Sequence, residues 1–264
     1  MIARWTMLLS WFPRRMGFPM MTGVLLLATI ACADVGPGTK SSDEDISDRK
    51  HSEEESYRQM RERMVNIQIE ARGIRNPRVL DAIRLIPRHR FLPSRLADRA
   101  YEDGALPIGE GQTISQPYIV ARMTELLDPE PDAKILEIGT GSGYQAAVLS
   151  VLVDHVYSIE IVESLAEEAS HRLEQMGYDN VTVRWADGYK GWPEQAPFDG
   201  IIVTAAPDHV PQPLVDQLKV GGELVIPIGR DEQHLMLLKK GPDGVSEKTV
   251  IPVRFVPMTG EADR

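Results

Sequence analysis

Apolar residues in the second half of the chain fall alternately into short continuous runs and into stripes with a spacing of three or four positions. The first pattern is typical of buried strands and the second of amphipathic helices. Strands are expected around residues 135–138 and at His155–Ile159, Val181–Arg184, Phe198–Val203 and Glu223–Ile228, and helices at Gln145–Val153, Glu163–Met176 and Gln212–Leu218. Because strands and helices alternate, we expect an α/β fold with a doubly wound, mostly parallel sheet.

Both ends of this α/β unit depart from the alternation. At the carboxyl end, Gln233–Lys240 and Glu247–Val256 flank the turn sequence Gly-Pro-Asp-Gly, which predicts a C-terminal antiparallel hairpin. At the amino end, apolar stripes at residues 60–67 and 77–87 predict added N-terminal helices. A loop-rich stretch, 91–112, then leads to a helix that begins at Pro117 and has Ser115 at its entrance.

The first 33 residues differ in composition from the rest of the chain. Arg4, Arg14 and Arg15 precede an uncharged run from Met16 to Ala33, and no acidic residue occurs before residue 34. A basic start followed by an apolar run is typical of a bacterial export signal. We therefore expect a protein of the periplasm or cell envelope.

The processing of this N-terminal segment is open between two routes. An A-x-A pattern around Cys32 predicts cleavage before Asp34, whereas the sequence A-T-I-A-C resembles a lipoprotein box with the lipid on Cys32. We expect no membrane-spanning helix after signal removal, because both routes remove the apolar run. That run is also short for a span and is interrupted by Pro19. A translation start at Met60 or Met64 would instead leave the segment without a role.

Composition sets further limits on structure and function. Residues 34–55 are acidic and contain almost nothing to bury, which predicts a disordered linker ahead of a folded domain at 56–264. The chain is 42% hydrophobic and 26% charged, as in ordinary globular proteins, and its formal net charge of −10 argues against a nucleic-acid partner. With one cysteine, Cys32, and six histidines without ligand spacing, we expect no disulfide and no metal site.

The stretch Lys134–Tyr144 reads K-I-L-E-I-G-T-G-S-G-Y and contains the first strand of the predicted sheet, followed by a glycine-rich turn. Gly139, Gly141 and Gly143 allow a sharp turn and a close approach of the backbone to a ligand, and the following helix points free N–H groups at it. A dinucleotide fingerprint would need a third glycine where Tyr144 stands. The pattern E-x-G-x-G-x-G instead resembles motif I of the S-adenosylmethionine-dependent methyltransferases.

Three acidic residues near this turn are candidates for cofactor binding. Glu160 ends the second strand, 21 residues beyond Gly139, where a carboxylate can accept hydrogen bonds from ribose hydroxyls. Asp187 and Gly188 follow the third strand; the aspartate is expected to bond an adenine amino group, and the glycine lets the base lie close. Glu137 lies inside the first strand, where a buried carboxylate needs a partner, and the ammonium group of the cofactor is the expected one.

Six sequence blocks between about residues 60 and 260 carry a more specific resemblance. In chain order they are G-E-G-Q-T-I-S-Q-P-Y, E-I-G-T-G-S-G-Y, A-D-G-Y-K-G-W, P-F-D-G-I-I-V-T-A-A, G-G-E-L-V-I-P-I-G and R-F-V-P. They resemble the protein-L-isoaspartate O-methyltransferases, and Q-T-I-S-Q-P is specific to that family.

This resemblance implies a Rossmann-like methyltransferase domain with S-adenosyl-L-methionine as methyl donor. It also implies the reaction: methylation of the α-carboxyl of L-isoaspartyl residues in damaged peptides and proteins, which starts repair through a succinimide. Ser115 matches the serine that the family assigns to its active site.

Two other functions stay open at this point. The same fold carries small-molecule and RNA methyltransferases, although the block that contains Ser115 argues against them. An envelope module that binds the cofactor or damaged peptides without turnover is the third reading. Because the methyl donor is made in the cytoplasm, the resemblance also implies a cytoplasmic location, in conflict with the export-type N-terminus.

Overall fold

The computed structural model describes residues 42–261, so the predicted export segment, 1–33, lies outside the described residues. Nine strands are described: β1 Leu106–Gly109, β2 Gln112–Ile114, β3 Lys134–Ile138, β4 His155–Glu160, β5 Val181–Trp185, β6 Phe198–Val203, β7 Leu218–Ile228, β8 Gln233–Gly241 and β9 Gly244–Val253. The first two pair with each other, and the other seven form one sheet in the order β5-β4-β3-β6-β7-β8-β9.

The central sheet confirms the predicted architecture. Strands β5, β4, β3, β6 and β7 pair in parallel, whereas β8 pairs antiparallel with both β7 and β9. The last hairpin turns where predicted, with Gly241 opposite Gly244. The chain proceeds from β3 outward to β5 and then returns to the other side of β3 with β6, which makes the carboxyl ends of β3, β4 and β6 a topological switch point.

Six α-helices flank the sheet within residues 42–261: α1 Ser42–Met64, α2 Pro77–Leu85, α3 Pro117–Leu127, α4 Tyr144–Ser150, α5 Glu163–Gln175 and α6 Gln212–Gln217. Asn76 caps α2 by accepting a hydrogen bond from the backbone N–H of Arg78, and Pro77 stands in the first turn, where its missing N–H costs nothing. None of the helices in this part of the chain is long and apolar enough to cross a bilayer.

Apolar side chains form a core on each face of the sheet. On β3, Ile135 packs into the core that contains residues of α1 to α4, and Leu136 and Ile138 pack into the core on the opposite face. Successive side chains of a strand point to opposite faces of the sheet, so β3 contributes to both cores and is apolar on both sides. Glu137 shares the face of Ile135, so its carboxyl is placed in the interior.

The structure differs from the sequence-based expectations at two places. Helix α1 begins at Ser42, inside the segment 34–55 for which composition predicts a disordered linker. No proline or glycine interrupts it, Arg58 pairs with Glu55 at 2.7 Å, and Tyr57 stacks on His89 with ring centroids 4.0 Å apart. Local ion pairing and tertiary contacts such as this stacking favour the helix.

The second difference is the hairpin of β1 and β2, which extends into the stretch predicted as loop. Gly109 and Gly111 have positive φ values of 108° and 70°, and this reversal pairs Gln112 with Gly109 and Thr113 with Pro107. The short strands lack the long apolar run that identifies a buried strand, and therefore the sequence pattern misses them.

Candidate active site

A pocket lies at the carboxyl ends of β3, β4 and β6, at the switch point of the sheet, and we call it the donor pocket. Its empty volume is about 570 Å³. It is lined by Gln112, Thr113, Ile138, Gly139, Gly141, Ile159, Glu160, Ile161, Gly188, Thr204, Ala205, Val256, Pro257, Met258 and Thr259. Apolar walls with a few polar groups are typical of a cofactor site.

The glycine turn forms the floor of the donor pocket. Gly139, Gly141 and Gly143 have φ values of 97°, 51° and 86°, a region that side chains disfavour. A Cβ on Gly139 would overlap the hydroxyl oxygen of Thr204. Gly139 and Gly141 line the pocket, whereas Gly143 caps α4 and lies against Leu173 of α5. The turn thus has two glycines at the ligand side and one that packs a helix.

Glu160 reaches the donor pocket as predicted from its position. Its side chain is 5% exposed, and its two oxygens accept hydrogen bonds from the backbone N–H groups of Gly141 at 2.7 Å and Val162 at 3.0 Å. Each carboxylate oxygen keeps further acceptor capacity. A ribose contact by Glu160 remains a prediction, and the two backbone N–H groups hold its carboxylate at the pocket wall.

Glu137 lies beneath the glycine turn instead of at the pocket wall. It is fully buried, Ser158 donates a hydrogen bond to its Oε2, and its Oε1 has no partner among the described residues. Ser158 is itself 2.6 Å from the hydroxyl of Thr140 in the turn. Burial, helped by the nearby charge of Glu160, raises the pKa of Glu137 to about 8 against the opposing effect of the hydrogen bond from Ser158. The cofactor contact predicted for Glu137 would therefore run through the unpartnered Oε1.

Asp187 and Gly188, both predicted near the adenine, have different contacts in the structure. Gly188 lines the donor pocket, and a Cβ there would overlap Ile138. The carboxylate of Asp187 instead accepts hydrogen bonds from the backbone N–H groups of Tyr189 at 3.0 Å and Glu261 at 2.9 Å. Asp187 thus holds the C-terminal segment, 256–261, over the pocket, and the adenine contact predicted for it stays a prediction.

A second, wider opening adjoins the donor pocket, and we call it the acceptor cleft. Its empty volume is about 1060 Å³. It is lined by Asp103, Gly104, Ala105, Thr113, Ser115, Gln116, Ile119, Thr204, Pro252, Val253, Arg254, Phe255 and Val256. The β1-β2 hairpin, the start of α3 and the end of β9 therefore form its walls.

Ser115 stands between the two openings. It lines both the acceptor cleft and a smaller pocket that contains Gly139 and Gly141 of the glycine turn. Its side chain is half-buried, and its hydroxyl has no hydrogen-bond partner within residues 42–261. The residue that caps α3 is Gln116, so Ser115 is not engaged as a helix cap. A free hydroxyl at this point is available to a ligand.

Thr113 and Thr204 connect the donor pocket to the acceptor cleft, because both residues line both openings. Thr204 follows β6, and its hydroxyl donates to the carbonyl oxygens of Gly139 at 2.7 Å and Ile138 at 3.0 Å. A group transferred from one opening to the other would cross this junction.

Within the described part of the chain, no group of three or more His, Cys, Asp and Glu side chains could hold a metal ion.

Sequence reasoning did not single out Thr113, Arg254 or the C-terminal segment as parts of the site. The block R-F-V-P carried the signal for the last two, but only as part of a resemblance. The segment is held by backbone bonds between Ala206 N and Val256 O at 2.8 Å and between Met258 N and Ala206 O at 2.9 Å. These contacts join residues about 50 positions apart, which no local pattern reveals.

Comparisons with known proteins agree with this arrangement. The sequence profile of the family described as Protein-L-isoaspartate(D-aspartate) O-methyltransferase (PCMT) matches residues 59–263. Protein-L-isoaspartate O-methyltransferase 1 of Nitrosospira multiformis is 56% identical over 209 residues, which cover 77% of this chain and 89% of that protein.

Two solved structures share the fold. One, titled protein-L-isoaspartate O-methyltransferase, superposes with a TM-score of 0.69 at 32% identity and covers 76% of this chain and 66% of that one. The other is a putative protein-L-isoaspartate O-methyltransferase from Plasmodium falciparum in complex with S-adenosyl-L-homocysteine. It has a TM-score of 0.65 at 24% identity, over 75% of this chain and 98% of its own.

Proposed function

The chain belongs to the protein-L-isoaspartate(D-aspartate) O-methyltransferase family, and on that premise we propose that the donor pocket and the acceptor cleft together methylate isoaspartyl residues. The acceptor is the α-carboxyl of an L-isoaspartyl residue in a damaged protein, and the ester product closes to a succinimide that begins repair. The observation that carries the proposal is the junction, where Ser115 of the family-specific block lies beside the glycine turn.

The residues of the donor pocket fit S-adenosyl-L-methionine, which supplies an electrophilic methyl group on a sulfonium. The carboxylate of Glu160 suits ribose hydroxyls, and Ile159 and Ile161 offer apolar surface for a base. The buried Oε1 of Glu137 has no described partner and suits a cationic group. The glycine turn lets the backbone approach the ligand without a side chain between them.

The acceptor cleft needs no strong base for this reaction. A carboxylate of ordinary pKa, about 4, is already ionised at neutral pH, so no proton has to be removed before it reacts. Within residues 42–261 the hydroxyl of Ser115 is not hydrogen-bonded to any histidine or carboxylate that could act as its base, in keeping with an orienting role. Its hydroxyl donates to one carboxylate lone pair and leaves the others free. Positioning of the acceptor and exclusion of water then supply most of the catalysis.

Replacing Ser115 with alanine tests this role. We expect Ser115→Ala to bind S-adenosyl-L-homocysteine with unchanged affinity but to lose roughly ten- to a hundredfold in kcat/KM for an isoaspartyl peptide, as expected for one lost hydrogen bond to a charged group. Ser94→Ala, at an exposed serine outside the site, is the matched control. Wild-type turnover by Ser115→Ala would remove Ser115 from the mechanism.

We also propose that the protein is exported to the periplasm or cell envelope. The support is the N-terminal composition, in which three arginines precede an uncharged run that ends at Ala33. Cell fractionation with N-terminal sequencing tests the proposal. An N-terminus at Asp34, or a lipid-blocked Cys32, in the envelope fraction supports export. An intact N-terminus in the cytosol contradicts it and favours the cytoplasmic alternative, where the methyl donor is made.

A further inference from the structure

The acceptor cleft has two charged side chains among its described lining residues, and they are placed very differently. Asp103 is neutralised by Arg72, with Nη1 and Oδ2 3.0 Å apart, and its Oδ1 accepts a hydrogen bond from Gln116 at 2.6 Å. Arg254 is exposed and has no ion pair or hydrogen bond through its guanidinium within residues 42–261. The cleft therefore presents one uncompensated positive charge.

The backbone that carries Arg254 is fixed on both sides. Before it, β9 ends at Val253 in the antiparallel sheet. After it, Phe255 donates its N–H to the side-chain oxygen of Gln233 at 2.6 Å and accepts from the side-chain nitrogen of Gln233 at 3.2 Å. The next residue, Val256, is bonded to Ala206 beside the donor pocket. Arg254 thus projects from a defined point on the lining of the cleft, and Ser115 lines the same cleft from the start of α3.

A positive charge in the acceptor cleft favours binding of an anionic acceptor. The chain carries a formal net charge of −10, so an anionic acceptor is repelled by the protein as a whole. A guanidinium in a cleft offsets that repulsion and binds a carboxylate through charge-assisted hydrogen bonds. The hydroxyl of Ser115 can orient a carboxylate but carries no charge.

We propose that Arg254 binds the acceptor carboxylate, so that the cleft selects a free carboxylate over its neutral analogues. This inference rests on the proposed function and specifies how that function recognises its substrate. The guanidinium donates to one carboxylate oxygen, and the remaining lone pairs stay available for reaction. Arg254 acts in binding: its loss weakens the acceptor complex while the donor pocket keeps its affinity.

The test compares an isoaspartyl peptide with the same peptide in which the α-carboxyl is an amide. Their dissociation constants are measured on protein saturated with S-adenosyl-L-homocysteine, and KM and kcat are measured for the carboxylate peptide. The variants are Arg254→Gln and Arg254→Lys. Arg95→Gln is the matched control, since it removes the same charge from an exposed arginine that does not line the cleft.

We expect Arg254→Gln to raise KM roughly tenfold with kcat changed less than twofold, and to reduce the preference for the carboxylate over the amide peptide by a similar factor. Arg254→Lys should restore most of the preference, and Arg95→Gln should match the wild type. An unchanged preference in Arg254→Gln overturns the inference, as does a loss confined to kcat. Failure of the proposed function is distinct, because the wild-type protein would then not methylate the isoaspartyl peptide at all.

Discussion

Gly139 illustrates how one residue shapes the donor pocket. Its φ is 97°, and a Cβ at this position would overlap the hydroxyl oxygen of Thr204. That hydroxyl already bonds the carbonyl oxygens of Ile138 and Gly139, so it has little freedom to move away. A side chain at residue 139 would therefore push β6 away from the turn as well as strain the backbone.

The variant Gly139→Ala separates these two effects when it is compared with Gly177→Ala. Gly177 also has a positive φ, 78°, but a Cβ there meets nothing within 4 Å. We expect Gly177→Ala to cost about 1 kcal/mol of stability from backbone strain alone. Gly139→Ala should cost more and should weaken binding of S-adenosyl-L-homocysteine by at least about tenfold. Urea unfolding and calorimetric titration check both values, and equal behaviour of the two variants would contradict the overlap.

Glu137 is expected to make the stability of the protein depend on pH, because its carboxyl changes charge on unfolding. Burial raises its pKa in the folded protein to about 8, whereas the ordinary value is 4.5. Between these values the folded state holds a proton that the unfolded state has lost, so the contribution of Glu137 to the free energy of unfolding falls as pH rises.

Glu137→Gln should remove this contribution. The stability of the wild type relative to the variant should fall by a few kcal/mol between about pH 4.5 and pH 8, measured by urea unfolding without cofactor. The comparison cancels the pH dependence of the other groups. Parallel pH profiles for the two proteins would show that Glu137 is ionised in the folded state at neutral pH.

The C-terminal segment, 256–261, is the element that completes the donor pocket. It contributes Val256, Pro257, Met258 and Thr259 to the wall, and Asp187 holds its end through the N–H of Glu261. Gly260 lies against the same carboxylate: its φ is 147°, and a Cβ would overlap Asp187 Oδ1.

Gly260→Ala should therefore detach the segment and weaken binding of S-adenosyl-L-homocysteine by roughly tenfold. The control is Gly244→Ala, since Gly244 has nearly the same φ, 146°, with nothing within 4 Å. Hydrogen exchange should increase at residues 256–261 in the first variant only. Wild-type affinity and exchange in Gly260→Ala would show that the segment is not held through Asp187.

Elements with a strong local pattern could be predicted from the sequence. The strand Phe198–Val203 has the predicted bounds, because its apolar residues and the turn residues around it act locally. Helix α1 and the β1-β2 hairpin were not predicted, since their stability comes from partners such as His89 and from a glycine reversal. Tertiary context overrides composition in both places.

Some residues of the site could likewise be predicted from the sequence, and others could not. Gly139, Gly141, Glu160 and Gly188 line the donor pocket because their positions follow from the strand ends of a parallel sheet. The bond from Asp187 to a residue 74 positions away depends on how the chain returns after β9, and no spacing rule contains that information. The role of Asp187 in holding the C-terminal segment was therefore not predicted, and its adenine contact stays a prediction.

At the scale of the whole molecule, the fold brings two openings to one junction. The parallel strands position the glycine turn and Glu160 in the donor pocket. The β1-β2 hairpin, α3 and the end of β9 form the acceptor cleft. Thr113 and Thr204 belong to both. The family of the chain and this junction lead to one central claim, which is methyl transfer to isoaspartyl carboxylates.

The most direct measurement of that claim compares two peptides of the same sequence, one with an L-isoaspartyl and one with a normal L-aspartyl residue. Methyl transfer from S-adenosyl-L-methionine is followed by release of methanol from the ester product. We expect sustained methanol release with the isoaspartyl peptide and background release with the aspartyl peptide. Equal release from both peptides, or background release from both, would contradict the account.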